Sequence, residues 1–259
     1  MRIAQLSDLH LRPGLLYSGI DPWARLNEAL ARLKELQPPP DFLLITGDLA
    51  DKGDPESYRE LAQRLAERGL PYALLPGNHD AREPLRAAFP ELFAGCGNRL
   101  DFRVDRGELS LLLLDTLKIG SEAGELLPAQ IEWLTANCPG ERRLMIAMHH
   151  PPVAVGIAGM DAIGCEGGEQ LVTWLAEHPQ VEAVLCGHVH RSVTTRIAST
   201  LLMSCPSTVH QIALQDGPLA WTTEPAGLLI HDLLPGVPMR SHLLPLAAAP
   251  VHCYSQRAT

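Results

Sequence analysis

The sequence lacks the cysteine spacing of a metal ribbon or a redox motif. Six cysteines are spread over 259 residues, and no two of them form a C-x-x-C pair. A chain of this length can bury a sufficient core without disulfides, so we expect reduced thiols. No apolar run approaches the ~20 residues of a membrane-spanning helix. The start, MRIAQLSDLH, has no basic region followed by an apolar signal core. These absences predict a cytoplasmic protein without a membrane partner.

Clusters of basic residues are also missing. The chain has 21 Lys and Arg residues against 30 Asp and Glu residues, which gives a formal net charge of -9. Nucleic acids and anionic membranes both select basic surfaces. The composition therefore argues against a nucleic-acid polymer as the partner. We find no internal repeat, low-complexity tract or clear linker, and we predict one domain over residues 1–259.

Short apolar runs alternate with amphipathic stretches over the first part of the chain. Buried strands are predicted at 2–7, 42–46, 72–75, 109–115, 144–148 and 181–186, and helices at 22–36, 54–68, 128–136 and 167–177. Asp21-Pro22 and Asp54-Pro55 are typical helix starts, with a capping Asp before Pro at the first helical position. This alternation predicts an α/β fold with largely buried sheets. From about residue 193 strands follow one another without helices, and we interpret them as a second sheet packed on the first.

Polar side chains gather where the predicted strands end. Five motifs follow five strands: LSDLH with Asp8 and His10, ITGDLAD with Asp48, LPGNHD with Asn78, His79 and Asp80, MHHPP with His149 and His150, and CGHVH with His188 and His190. Ligands of α/β sheets bind at the carboxyl ends of the strands. We therefore expect the five motifs to converge on one site. A single Asp-x-His at a strand end is usually a cap or a turn, but caps do not explain all five.

These residue types suit metal ions. The seven candidate ligands are Asp8, His10, Asp48, Asn78, His149, His188 and His190. Imidazole and oxygen ligands suit Zn, Mn, Fe, Co or Ni. Seven ligands are too many for one tetrahedral ion but fit two ions that share a carboxylate. Each D-x-H or H-x-H pair is expected to point to one side of an extended chain. Glycine before Asp48, Asn78 and His188 is expected to allow close backbone approach. Spacing leaves open which of His149 and His150 is the ligand.

In this order, D-x-H, G-D, G-N-H-D, H-H-P and G-H-x-H resemble the motifs of the calcineurin-like metallophosphoesterase superfamily, over residues 6–190. YSGIDPWARLNEAL, GMDAIGCEGGEQL and PSTVHQ are similar to its bacterial class III cyclic-nucleotide phosphodiesterase and glycerophosphodiesterase branch. The resemblance implies a four-layer α/β/β/α sandwich with mixed sheets. It also implies a dinuclear metal-dependent phosphodiesterase that hydrolyses small phosphodiesters with a metal-activated hydroxide.

The resemblance also implies a role for each site residue. Asp8, His10 and His190 are expected to bind one metal, Asn78, His149 and His188 the other, and Asp48 both, with Fe, Mn, Zn or Co as the ions. His79 resembles the family's non-ligand histidine, so we predict that it is catalytic and contacts substrate together with Asn78. His210 in STVHQ matches a substrate-binding position. The alternative for His210 is a strand histidine that faces solvent.

Other functions are weaker matches to the sequence. A phosphomonoesterase or protein phosphatase would use the same metals, but Lys52 stands where G-D-x-x-D-R-G has Arg, and G-N-H-D replaces G-N-H-E. A DNA nuclease conflicts with the acidic composition, and a non-catalytic scaffold conflicts with the complete set of motifs.

The segment 214–226 is long for a sheet connection and carries Leu219 and Trp221 in a polar setting. We predict that this arm builds a homo-oligomer and edges the substrate pocket; the alternative is a mobile surface loop.

Overall fold

The computed structural model describes residues 1–138, 140 and 142–253. The helices are α1 (Pro22–Glu35), α2 (Pro55–Arg68), α3 (Arg82–Ala88), α4 (Pro128–Asn137), α5 (Ala158–Asp161) and α6 (Gly168–Glu177). The strands are β1 (Arg2–Leu6), β2 (Phe42–Thr46), β3 (Tyr72–Leu75), β4 (Phe102–Arg106), β5 (Leu109–Leu114), β6 (Gly124–Glu125), β7 (Arg143–Met148), β8 (Cys165–Glu166), β9 (Val181–Cys186), β10 (Val193–Ile197), β11 (Thr200–Ser204), β12 (Gln211–Ile212), β13 (Trp221–Thr222), β14 (Gly227–Asp232) and β15 (Arg240–Pro245).

Most of the strands form two mixed sheets. The first sheet has the order β15-β14-β1-β2-β3, with β1, β2 and β3 parallel. The second has the order β10-β11-β9-β7-β5-β4, with a parallel centre from β11 to β5. The prediction of a separate sheet after residue 193 is wrong. The hairpin β10-β11 instead extends the second sheet and β14-β15 the first, because each hairpin pairs with the otherwise open edge of a parallel strand.

Three hydrophobic clusters of the described residues define four layers. Leu26 of α1 and Leu61 of α2 belong to the cluster on the outer face of the first sheet. Leu171 of α6 belongs to the cluster on the outer face of the second sheet. Between the sheets, Phe42 of β2 and Met145 of β7 belong to one shared cluster. Because both faces of each sheet are covered, the central strands are continuous apolar runs. The predicted α/β/β/α sandwich is confirmed.

The helix starts follow the sequence closely. The Asp21 side chain accepts hydrogen bonds from the backbone N–H of Trp23 and Ala24, at 3.0 and 3.1 Å. Asp54 accepts one from the N–H of Ser57 at 2.9 Å. Both capping predictions are confirmed. Among the described residues, no helix combines the length and hydrophobicity needed to cross a membrane.

Candidate metal centre

The predicted ligands meet at one end of the sandwich, where β1, β2, β3, β7 and β9 terminate. Asp8, His10, Asp48 and His190 form one buried group whose ligand atoms all lie within 4.8 Å of one another. His10 Nε2 lies 3.1 Å from His190 Nε2, and His190 Nε2 lies 3.3 Å from Asp8 Oδ1. These four residues come from three different strand ends, as the motifs predicted.

A second group lies beside the first. Asn78 Oδ1 is 3.2 Å from both His149 Nε2 and His188 Nδ1. Asp48 connects the two groups, because its Oδ2 lies 3.4 Å from His149 Nε2 and 3.8 Å from His10 Nε2. The structure therefore brings all seven predicted ligands together, with Asp48 in the middle.

The backbone conformation at the site differs from the extended one that the sequence predicts. Asp8, His10, Asp48, His188 and His190 all have positive φ, between 46° and 68°. Non-glycine residues rarely adopt this left-handed region, and such strain clusters at functional sites. The predicted extended conformation of the D-x-H and H-x-H pairs is therefore wrong. Their side chains converge because the chain bends at both residues of each pair.

Three glycines permit the close packing of the strand ends. A Cβ atom on Gly77 would collide with the carboxylate and backbone N–H of Asp48. A Cβ atom on Gly187 would collide with Ser7 Oγ and Thr46 O. A Cβ atom on Gly47 would collide with the His149 ring, so the predicted need for glycine before Asp48, Asn78 and His188 is confirmed.

Backbone carbonyls hold the outer ring nitrogens of three candidate ligands. The pairs are His149 Nδ1 with Thr46 O at 2.7 Å, His188 Nε2 with Ile163 O at 3.0 Å, and His190 Nδ1 with His210 O at 3.2 Å. An N–H that donates to a carbonyl fixes the ring orientation and leaves the opposite nitrogen for a metal. His149 and His190 thus present Nε2 to the centre, and His188 presents Nδ1.

The neighbouring His150 has no ring nitrogen to spare. Its Nδ1 lies 2.8 Å from Thr116 Oγ1, and its Nε2 lies 3.2 Å from Glu122 O. Both nitrogens are therefore engaged by the protein. The geometry favours His149 as the ligand, a choice that spacing left open.

Asp80 supports the loop beneath Asn78. Its two carboxylate oxygens accept hydrogen bonds from Leu49 N, Ala50 N, Gly77 N and the Tyr58 hydroxyl, at 2.8–3.1 Å. Burial raises the pKa of Asp80 to about 6, although these donors counteract it. Asp80 therefore fixes the turns that carry Asp48 and Asn78 instead of facing the metal centre.

Burial and neighbouring charges set the protonation of the cluster. Burial opposes ionisation of Asp8, but His190 outweighs it and holds the pKa of Asp8 at about 2. Burial likewise opposes ionisation of Asp48, whose pKa His149 holds well below the usual range. Burial lowers the pKa of His188 to about 3. For His149, the Asp48 carboxylate outweighs burial and raises the pKa to about 9.

The donor set fits metal ions. Asp8 Oδ2 is buried and has no hydrogen-bond partner among the described residues. Burying an unpaired carboxylate oxygen is costly unless a cation compensates it. The converging groups are imidazoles, carboxylates and one amide, which are ligands of first-row transition metals. The site can therefore hold a metal cofactor.

Metal uptake is expected to tighten as the pH rises towards 9. Below its pKa of about 9, His149 of the metal-free protein carries a proton that the cation must displace. One displaced proton should strengthen apparent affinity about tenfold per pH unit between pH 6 and 8. Calorimetric Mn²⁺ titrations in buffers of different ionisation enthalpy would count the protons. The surface variant His242→Asn should keep the slope, and an affinity independent of pH in the wild type would contradict this prediction.

His79 lies at the edge of the centre. Its ring is 4.6 Å from that of His10, its Nδ1 lies 2.8 Å from Asp51 O, and its backbone N–H donates to Asp48 Oδ1 at 2.9 Å. Burial opposes protonation of His79, but the Asp48 carboxylate, the Asp51 carbonyl and the nearby Asp51 and Asp80 carboxylates together outweigh it and raise the pKa. His79, His10 and Asp51 also form a third close group. The ring is thus oriented through Nδ1, with Nε2 available for a proton transfer.

His210 is buried, with 5% of its surface exposed, and it precedes β12. The alternative of a solvent-facing strand histidine is therefore wrong. Its Nε2 lies 2.6 Å from the Tyr17 hydroxyl, and the Trp221 ring is 4.4 Å from the Tyr17 ring. Residue-by-residue reasoning missed Tyr17, although the YSGIDPW segment contained it. The predicted arm 214–226 thus reaches His210 through Trp221.

Comparisons with known proteins agree with this architecture. The profile of the calcineurin-like phosphoesterase family matches residues 1–192. The chain is 32% identical over 241 residues to the glycerophosphodiester phosphodiesterase GpdQ of Enterobacter lignolyticus, with 89% of this chain and 86% of that protein covered. It is 32% identical over 219 residues to the 3',5'-cyclic adenosine monophosphate phosphodiesterase CpdA of Escherichia coli K12, with 82% and 77% covered.

A solved structure has a similar fold. A dimetal phosphatase from Danio rerio aligns with a TM-score of 0.71 at 13% identity, over 95% of this chain and 96% of that one. At this identity the likeness concerns the fold alone. The family match covers most of the chain, including the five motifs at the strand ends. The chain belongs to the calcineurin-like phosphoesterase family.

Proposed function

We propose that this protein is a dinuclear metal-dependent phosphodiesterase that hydrolyses small phosphodiesters. The observation that carries the proposal is the pair of adjacent ligand groups joined by Asp48. The relatives GpdQ and CpdA are both named as phosphodiesterases, for glycerophosphodiesters and for cyclic adenosine monophosphate. These names favour a phosphodiesterase over the phosphomonoesterase or protein-phosphatase alternative. They leave both substrate classes open.

The proposed ligand sets follow the two groups. Asp8, His10 and His190 would hold one ion, Asn78, His149 and His188 would hold the other, and Asp48 would contribute to both. The ions are Fe, Mn, Zn or Co, which accept imidazole together with oxygen ligands. When bound, such ions neutralise phosphate charge and lower the pKa of water.

The chain's own groups supply orientation and a proton. His79 donates a proton from Nε2 to the departing alkoxide, because Asp51 O fixes its ring and Asp48 favours its protonated form. Asn78 directs Oδ1 towards His149 and His188, so its amide N–H groups can bind a phosphate oxygen. His210, anchored by Tyr17, binds the substrate from the side of His190.

A substrate panel tests this function. The Mn²⁺-loaded enzyme should hydrolyse bis-p-nitrophenyl phosphate at least about tenfold faster than p-nitrophenyl phosphate, a difference of about 1.4 kcal/mol in activation free energy. Cyclic AMP and glycerophosphoethanolamine in the same panel would separate the two substrate classes. The variant Asp48→Asn, purified in parallel, controls for contaminating phosphatases. Faster hydrolysis of the monoester would contradict the proposal.

We also propose a cellular location and an oligomeric state for the protein. We place it in the cytoplasm, without a nucleic-acid polymer as partner, in line with its net charge of -9. The homo-oligomer built through the arm 214–226 also stays a prediction. Its support is that Leu219 and Trp221 are 48% and 40% exposed, and large exposed apolar side chains are typical of interfaces.

A further inference from the structure

The segment GMDAIGCE, at residues 159–166, has no part in the ligand sets described above. It lines a cavity of about 250 Å³ together with residues 151–155, and we call these two segments the walls of the cavity. His188 lines the same cavity, which therefore opens beside the metal centre. We name this cavity the His188 pocket, and its lining includes Pro152, Val155, Met160, Asp161, Cys165 and His188.

The two walls of the His188 pocket are tied to each other. The Asp161 carboxylate accepts hydrogen bonds from Val155 N at 2.7 Å and from Gly156 N at 3.1 Å. The Ile163 carbonyl, between Met160 and Cys165, holds His188 Nε2 at 3.0 Å. These hydrogen bonds hold both walls in place, and a pocket with fixed walls requires less ordering when a ligand binds.

The lining of the pocket carries negative charge. Its described residues include two carboxylates, of Asp161 and Glu166, and no Lys or Arg. Lys118 pairs with Glu166 at 2.6 Å on the exposed rim. Burial raises the pKa of the Cys165 thiol to about 12, so the thiol is neutral near pH 7. The described lining offers the Asp161 carboxylate backbone N–H donors but no cation, so an anionic group would enter next to this uncompensated carboxylate, which is unfavourable.

The position of His79 decides which end of the substrate enters the pocket. His79 lies against His10, in the group opposite to the one that contains His188. If His79 protonates the leaving alkoxide, the leaving group departs on the His10 side. The other substituent, which stays on phosphorus, then lies on the His188 side.

We infer that the His188 pocket binds the retained alcohol substituent of the phosphodiester and selects neutral or cationic organic groups over anionic ones. This inference rests on the proposed phosphodiesterase function and defines its substrate class further. The substituent is small, because the cavity holds only about 250 Å³.

Three p-nitrophenyl diesters with the same leaving group test the inference, with methyl, choline or 2-carboxyethyl as the retained substituent. Wild-type kcat/KM should be at least about tenfold higher for the choline diester than for the 2-carboxyethyl diester. Ala162 is an exposed residue of the lining, so the Trp side chain of Ala162→Trp is designed to fill the pocket. This variant should lower kcat/KM about ten- to a hundredfold for the choline diester, but less than about threefold for the methyl diester. Ala158→Trp, an exposed residue of α5 outside the lining, is the matched control and should change neither.

The Kd of the product phosphocholine, measured by calorimetry at equal metal content, should rise in Ala162→Trp and stay unchanged in Ala158→Trp. An equal loss for the methyl and choline diesters would mean that the substitution disturbs the metal centre, which overturns the inference. Unchanged choline kinetics in Ala162→Trp would overturn it as well. No hydrolysis of any diester by the metal-loaded wild type would overturn the proposed function, whereas hydrolysis without discrimination would overturn the pocket alone.

Discussion

Asp48→Asn is expected to remove tight binding of the metal pair and with it most of the activity. The Asp48 carboxylate is buried and lies between His10 and His149, while its other oxygen accepts the His79 N–H. Asn has almost the same shape but no charge, so both halves of the centre lose a counter-charge. Breaking a buried charge pair costs about 3–5 kcal/mol. Metal affinity should therefore fall by about 10²- to 10⁴-fold.

Elemental analysis after gel filtration would give the number of ions per chain, and circular dichroism would show whether the variant is folded. Asp105→Asn, on strand β4, is the matched control because it makes the same replacement outside the metal centre. Two tightly bound ions and full activity in Asp48→Asn would show that Asp48 does not bridge.

His79→Ala is expected to lower kcat by about 10²- to 10⁴-fold, the usual contribution of a positioned acid or base, and to leave metal stoichiometry unchanged. His79 contacts the site through Asp51 O and Asp48, and its raised pKa suits a proton donor. The loss should be smaller for p-nitrophenyl esters than for alkyl esters, because p-nitrophenolate leaves without a proton.

The leaving-group comparison separates two roles for His79. An equal loss for alkyl and aryl esters would favour a purely electrostatic role. A loss of metal in His79→Ala would instead identify His79 as a ligand. This outcome has to be tested because His79 lies close to His10 and Asp51. The surface variant His242→Ala is the control for removal of an imidazole elsewhere.

Much of the fold could be read from local patterns. The predicted helices at 22–36 and 54–68 differ from α1 and α2 by one residue at one end, because Asp-Pro starts and Gly or Pro stops act within a few residues. Strand β4 and helix α3 were not predicted. The strand FRVDR is an edge strand with polar residues, and α3 buries only Leu85, so neither has a clear hydrophobic period.

The sequence by itself determined which side chains are the candidate metal ligands, because its motifs follow strands whose carboxyl ends meet at one edge. Tertiary structure decided how those residues are used. The left-handed φ of Asp8 and His10 depends on packing between strand ends, since a side chain's identity rarely forces such a conformation. The choice between His149 and His150 depends on carbonyl and hydroxyl groups far along the chain. The contact of Tyr17 with His210 joins residues 193 positions apart, and no local pattern encodes a distance of that kind.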